Sequence, residues 1–119
     1  MQIVKFRYSG GGSYSLYAEV IECTASELRH EVPFTNLSGK KDIETTISEK
    51  DWLMVTTKLE KIIQDWQPEY NDYSIQDGFN WMLTITDSNN NEYIYEGINA
   101  YPKNFKKFDK LLDKLRSLT

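Results

Sequence analysis

The sequence predicts an α+β fold, with a single antiparallel sheet of about five strands and two helices in the order β-β-β-α-β-β-α. Three observations carry this. Apolar residues recur at helical spacing twice, once from Trp52 to Trp66 and once from Phe105 to Leu118. Runs alternating at period two flank two turn-rich links, Ser9-Gly10-Gly11-Gly12-Ser13 and Asp87-Ser88-Asn89-Asn90-Asn91. No linker, repeat or low-complexity stretch divides the 119 residues, so one domain over 1–119 is expected.

The elements follow in order. Residues 2–8 alternate, with Val4, Phe6 and Tyr8 on one parity and Ile3, Lys5 and Arg7 on the other. The glycine run then breaks the strand and turns the chain into a second strand over residues 14–23. A third covers residues 28–34 and ends near Pro33, and residues 35–41 read as turns. Ser48 caps a helix over residues 49–65, where Glu49 and Asp51 suit the positive helix end and Pro68 stops it. Residues 69–75 are polar and read as irregular. Strands over 79–86 and 92–98 form a hairpin whose asparagine tip tolerates positive φ. Pro102 fits the first turn of the last helix. Phe105, Phe108, Leu112 and Leu115 form its buried stripe, widened by Leu111 and Leu118. Both helices should cover one face of the sheet.

Composition excludes several classes. Hydrophobic content of 39% supports a folded core rather than disorder. No run approaches the ~20 apolar residues of a membrane span, and the N-terminus lacks a signal-peptide core, so a cytoplasmic protein is expected. Cys23 is the one cysteine, which excludes an internal disulfide and suits a reducing compartment. The net charge of −4 is uneven: residues 48–98 hold ten acidic and three basic side chains, residues 99–119 two and six. The acidic middle disfavours non-specific nucleic-acid binding.

No motif commits the chain to catalysis. The glycine run lacks the Lys-Ser/Thr of a phosphate loop and no helix follows it, so it reads as a hairpin. The asparagine tip mimics a calcium loop, but Glu92 and Ile98 stand where Gly and Glu are required. Cys23 and His30 are the sole thiol and imidazole, and no third group is placed to orient the histidine. They read as a small buried cysteine and a surface histidine, too few for a structural zinc site. Asp65, Glu69, Asp72, Asp77, Asp87, Glu92 and Glu96 offer carboxylates for hydrolysis, but their spacing does not make them converge. No catalytic, cofactor-binding or metal-binding residue is assigned.

The tyrosines stand out. Eight Tyr and three Trp in 119 residues exceed what one small core needs. Tyr8 and Tyr14 flank the glycine loop, and Tyr93 and Tyr95 share a strand parity. These four are the expected partner-binding residues, since aromatics with polar handles favour interfaces. On the last helix, Lys103, Lys106, Lys107, Lys110, Lys114 and Arg116 form a basic face able to meet a membrane or nucleic acid. Asp109 with Lys106 and Asp113 with Lys110 have pairing distance, so a solvated face is expected.

Three segments together resemble a family of small uncharacterised bacterial cytoplasmic proteins. They are Phe6-Arg7-Tyr8-Ser9-Gly10-Gly11-Gly12, the Asp-Gly-x-x-Trp-x-Leu strand (Asp77, Gly78, Trp81, Leu83), and Gly-x-Asn-Ala-Tyr-Pro-x-Asn-Phe (Gly97, Asn99, Ala100, Tyr101, Pro102, Asn104, Phe105). The resemblance implies a shared fold and a bacterial or phage origin, and brings no activity with it.

Three functions compete. The leading one is a small non-enzymatic domain that binds a protein partner through an aromatic-rich surface, with a homodimer as its simplest form. The second is an acidic inhibitor, encoded by a phage or mobile element, of a host defence protein or nuclease. The third is a carboxylate-based hydrolase.

Overall fold

The computed structural model describes residues 1–12, 19–32, 41–74 and 78–119. Among these residues are seven strands: β1 (Ile3–Gly12), β2 (Glu19–Thr24), β3 (Glu27–Val32), β4 (Lys41–Thr46), β5 (Glu69–Asn71), β6 (Phe79–Asp87) and β7 (Glu92–Ile98). The helices are α1 (Glu49–Ile62), continued by a 3-10 turn over Ile63–Asp65, and α2 (Phe105–Ser117). The strands form one sheet in the order β4-β3-β2-β1-β6-β7-β5. Every neighbouring pair is antiparallel except β5 with β7, which is parallel.

The α+β class and the two helices match the expectation, but the sheet has seven strands and is mixed. The additions, β4 and β5, are both edge strands. β4 carries one aliphatic residue, Ile43, among charged and hydroxyl side chains, and β5 has three residues. Charged or very short edges resist pairing with another chain and carry little apolar signal. β1 also runs further than expected. Gly10, Gly11 and Gly12 pair with Trp81, Asn80 and Phe79 of β6, so this part of the glycine run is strand rather than turn. Residues 13–18, which hold Tyr14 and most of the expected start of the second strand, lie outside the described residues.

One face of the sheet is apolar. Register aligns Phe6 with Cys23 and Ile85, Tyr8 with Ile21 and Leu83, and Gly10 with Trp81. Both helices pack on this face: Phe6 stacks on Trp52 of α1, and Tyr8 meets Phe108 of α2 edge-on. Val55, Leu59 and Ile62 join Phe108, Leu111, Leu112 and Leu115 in the same core. Val4 does not share it. The register shifts between Ile3 and Lys5, which buries Ile3 and leaves Val4 39% exposed. The opposite face is charged, with Glu22 within 4 Å of Lys5, Arg7 and Arg29.

The helix ends are tied down. Ser48 accepts from the Asp51 amide at 3.1 Å, as its N-cap position predicts. α2 begins at Phe105, so Pro102 precedes the helix instead of opening it.

Candidate functional site

Of the expected partner-binding tyrosines, Tyr8 is buried apart from the other two described, Tyr93 and Tyr95, which line one shallow pocket with Glu60 and Ile63. Tyr8 is 3% exposed and belongs to the core. Its hydroxyl lies where a side chain on Gly10 would stand, so the glycine admits it by close approach. Burial, reinforced by Glu19, pushes this phenol above its usual range. Tyr93 and Tyr95 are half-buried and pack against the core. Register pairs them with Ile85 and Leu83, which turns both toward the helices. Tyr95 meets Trp66 edge-on at 5.7 Å. Tyr93 donates its hydroxyl to Asp87 at 3.1 Å. Tyr14 lies outside the described residues. Parity was legible in the sequence; which parity the helices would cover was not.

The exposed aromatics lie elsewhere. Phe79 and Tyr101 are 36% and 43% exposed and tilt against each other at 6.4 Å. Tyr101 also stacks on Trp81 and lies 4.8 Å from Phe105. They meet because the chain reverses after β7. Asn99 adopts φ 58°, and its Oδ1 accepts from the Phe79 amide at 2.7 Å. Twenty-one residues separate Phe79 from Tyr101 in sequence, and no local spacing announces their contact.

Phe79, Tyr101 and Phe105 line a groove of about 760 Å³ between the Gly10 end of β1 and the start of α2. Lys103 and Lys106 stand on its wall, and Glu19, Asp109 and Arg116 close its far end. Arg116 grips Glu19 through Nε at 2.9 Å and Nη2 at 2.7 Å. His30, 7% exposed and thus not the expected surface histidine, places Nε2 2.7 Å from Glu19 and Nδ1 3.1 Å from Thr119. Arg116 further meets Asp113 at 2.7 Å and Asp109 at 3.7 Å. The acids at this end are therefore neutralised. Lys103 and Lys106 have no ion pair among the described residues, so the groove is aromatic with a basic wall.

The Cys23 sulfur is fully buried, hydrogen-bonds the Thr24 carbonyl, and is pushed up to about 12 by burial. It makes no hydrogen bond with His30, whose ring nitrogens face Glu19 and Thr119. Burial pushes Glu19 and Glu22 up, but hydrogen bonds from Arg116 and His30, and from Lys5 and Arg29, hold both below the usual carboxylate range. Asp87 is held low by the Asn91 amide first, then by its other donors. A general acid needs the opposite shift. The asparagine tip is a turn organised by Asp87, which accepts from the amides of Asn89 and Asn91 at 2.9 Å each. Among the described residues no group of three His, Cys, Asp or Glu could hold a metal ion. No helix is long and apolar enough to cross a membrane.

No protein-family model matches the chain, and no curated protein matches it.

Proposed function

We propose that the protein is a non-enzymatic binding domain that holds a segment of a protein partner in the groove of Phe79, Tyr101 and Phe105. The observation that carries this is the pair of tilted, exposed rings in the groove beside two lysines with no ion pair among the described residues. Large aromatic side chains dominate binding energies at protein interfaces. The basic wall selects a segment with an apolar or aromatic anchor flanked by carboxylates. The proposed surface is again an aromatic one, but its residues are Phe79 and Tyr101 in place of Tyr8, Tyr14, Tyr93 and Tyr95. Mimicry of nucleic acid fits less well, because Glu22 on the open sheet face is offset by Lys5, Arg7 and Arg29.

The test is a selection from a random peptide library on the immobilised protein, followed by affinity measurement on the enriched sequence. It should contain an aromatic or large aliphatic residue next to Asp or Glu. Phe79→Ser and Lys103→Ala/Lys106→Ala should each weaken binding by about tenfold or more. Enrichment with no such pattern, or affinity unchanged in both variants, removes this groove as the site. Sedimentation of the wild type decides whether a second copy is the occupant.

A further inference from the structure

A second groove, of about 560 Å³, runs between α1 and α2 on the side of α2 away from the aromatic rings. Its floor is Met54, Ile62 and Leu111. Its rims are Lys58 and Lys61 from α1 and Lys107, Lys110 and Lys114 from α2. The spacing explains the assembly. Residues 107, 110, 111 and 114 form one stripe of α2, and residues 54, 58, 61 and 62 form the facing stripe of α1.

The lysines are not solvated as ion pairs. Helical spacing predicts Asp109 with Lys106 and Asp113 with Lys110, yet both aspartates turn to Arg116 instead. Arg116 is anchored by Glu19 of β2 and draws the two acids to its own side of the helix. None of the five rim lysines has an ion pair among the described residues. A chain of net charge −4 thus gathers five like charges around an apolar floor. Like charges three and four residues apart repel on a helix, so an anionic occupant relieves a cost already present in the fold.

We infer that this groove docks an acidic amphipathic helix of a protein partner. Its apolar stripe would lie on Met54, Ile62 and Leu111, and its carboxylates on the lysine rims, the helix-in-groove mode. Two other anions fit less well. A bilayer is flat and meets the lysine rims of this concave groove before its apolar floor. Single-stranded nucleic acid favours aromatic stacking platforms, and this groove is lined by none. The inference is independent of the aromatic groove.

The experiment uses a fluorescent synthetic helical peptide with leucines at i, i+4 and i+7 and glutamates elsewhere. Binding is read by anisotropy at low and physiological salt. The full-length protein should bind it, more weakly as salt rises. A peptide of the same composition, scrambled so that the leucines share no face, should bind about tenfold more weakly. Lys107→Glu/Lys110→Glu should lose about tenfold or more, whereas Lys50→Glu, which lies outside the groove, should not. Melting curves check that both variants fold. Vesicles of phosphatidylserine and phosphatidylcholine and a single-stranded oligonucleotide serve as competitors and should not displace the peptide. Equal affinity for the scrambled peptide, an unaffected Lys107→Glu/Lys110→Glu variant, or displacement by either competitor overturns the inference.

Discussion

The Trp66 indole donates to Asn104 Oδ1 at 2.6 Å, while Asn104 Nδ2 donates to the Ile62 carbonyl at 2.8 Å. One amide side chain thereby joins the end of α1 to the start of α2. It satisfies a donor on a buried ring and a carbonyl left free by the helix end. Asn104→Ala leaves both groups unpartnered, and each costs about 1–3 kcal/mol. We expect a total loss of about 2–6 kcal/mol in urea melts followed by tryptophan fluorescence. Asn104→Asp keeps the acceptor but turns an oxygen toward the Ile62 carbonyl, so it should recover little near neutral pH. A midpoint unchanged in both variants would show that the helices are held by apolar packing alone.

Trp81 and Gly97 share one space. The indole donates to the Ala100 carbonyl at 2.9 Å, and a side chain on Gly97 would strike both partners of that bond. The ring cannot give way easily, since Trp66 and Phe105 lie 5.6 and 5.1 Å from it. Gly97→Ala should therefore cost about 1–3 kcal/mol by overpacking. Trp81→Ala should cost about 3–5 kcal/mol by removing a ring that is 3% exposed. Denaturant melts of each variant measure both. A loss below about 1 kcal/mol for Trp81→Ala would place that ring at the surface.

These clamps mark where sequence and structure agree. Gly97, Asn99, Ala100 and Asn104 are the conspicuous residues of the C-terminal half, and each has a framework task. The helices and the β6–β7 hairpin were legible because period and caps agree, as at Ser48 and over Glu92–Ile98. β4 and β5 were not, because charged or three-residue edges carry no alternating apolar run. Gly10 to Gly12 suggested a turn because glycine is chosen for more than φ: at Gly10 the missing side chain admits the Tyr8 hydroxyl and the Phe79 ring. The site was less legible than the fold. Phe79 meets Tyr101 through the reversal at Asn99, and Asp109 and Asp113 leave their local lysines for an arginine fixed by another strand. The first is tertiary; in the second, Asp113 with Arg116 is itself an i,i+3 pair, and the anchor from Glu19 goes with Arg116 rather than the lysines.

Cys23 should be inert in the native state. It is fully buried, and its thiol is pushed up to about 12, so little thiolate exists near pH 8. A thiol reagent should label it at a rate that rises with urea in step with the fluorescence transition. Rapid stoichiometric labelling in native buffer would mean that this part of the sheet opens independently of the rest.

The Glu19 cluster sets an acid limb on stability. Burial pushes the Glu19 carboxyl up, and hydrogen bonds from Arg116 and His30 more than offset it, leaving it below 4.5. A carboxyl with a lower value in the folded than in the unfolded chain makes the unfolded state bind more protons as pH falls. Its contribution is thus fully present above about 4.5 and is lost as pH drops through the folded value. Glu19→Gln should lower stability near neutral pH and flatten the decline measured between about pH 5 and pH 3. Arg116→Met should cost more, because it strands a half-buried carboxylate. The side chains of Arg116 and Glu19 are 28% and 22% exposed, so we expect about 1–3 kcal/mol rather than the full cost of breaking a buried pair. The same variant frees Asp109 and Asp113 from Arg116. Urea melts across this pH range on both single variants and the double variant give the coupling energy directly. Additive losses, with an acid limb as steep in Glu19→Gln as in the wild type, would mean that other carboxylates carry the pH dependence.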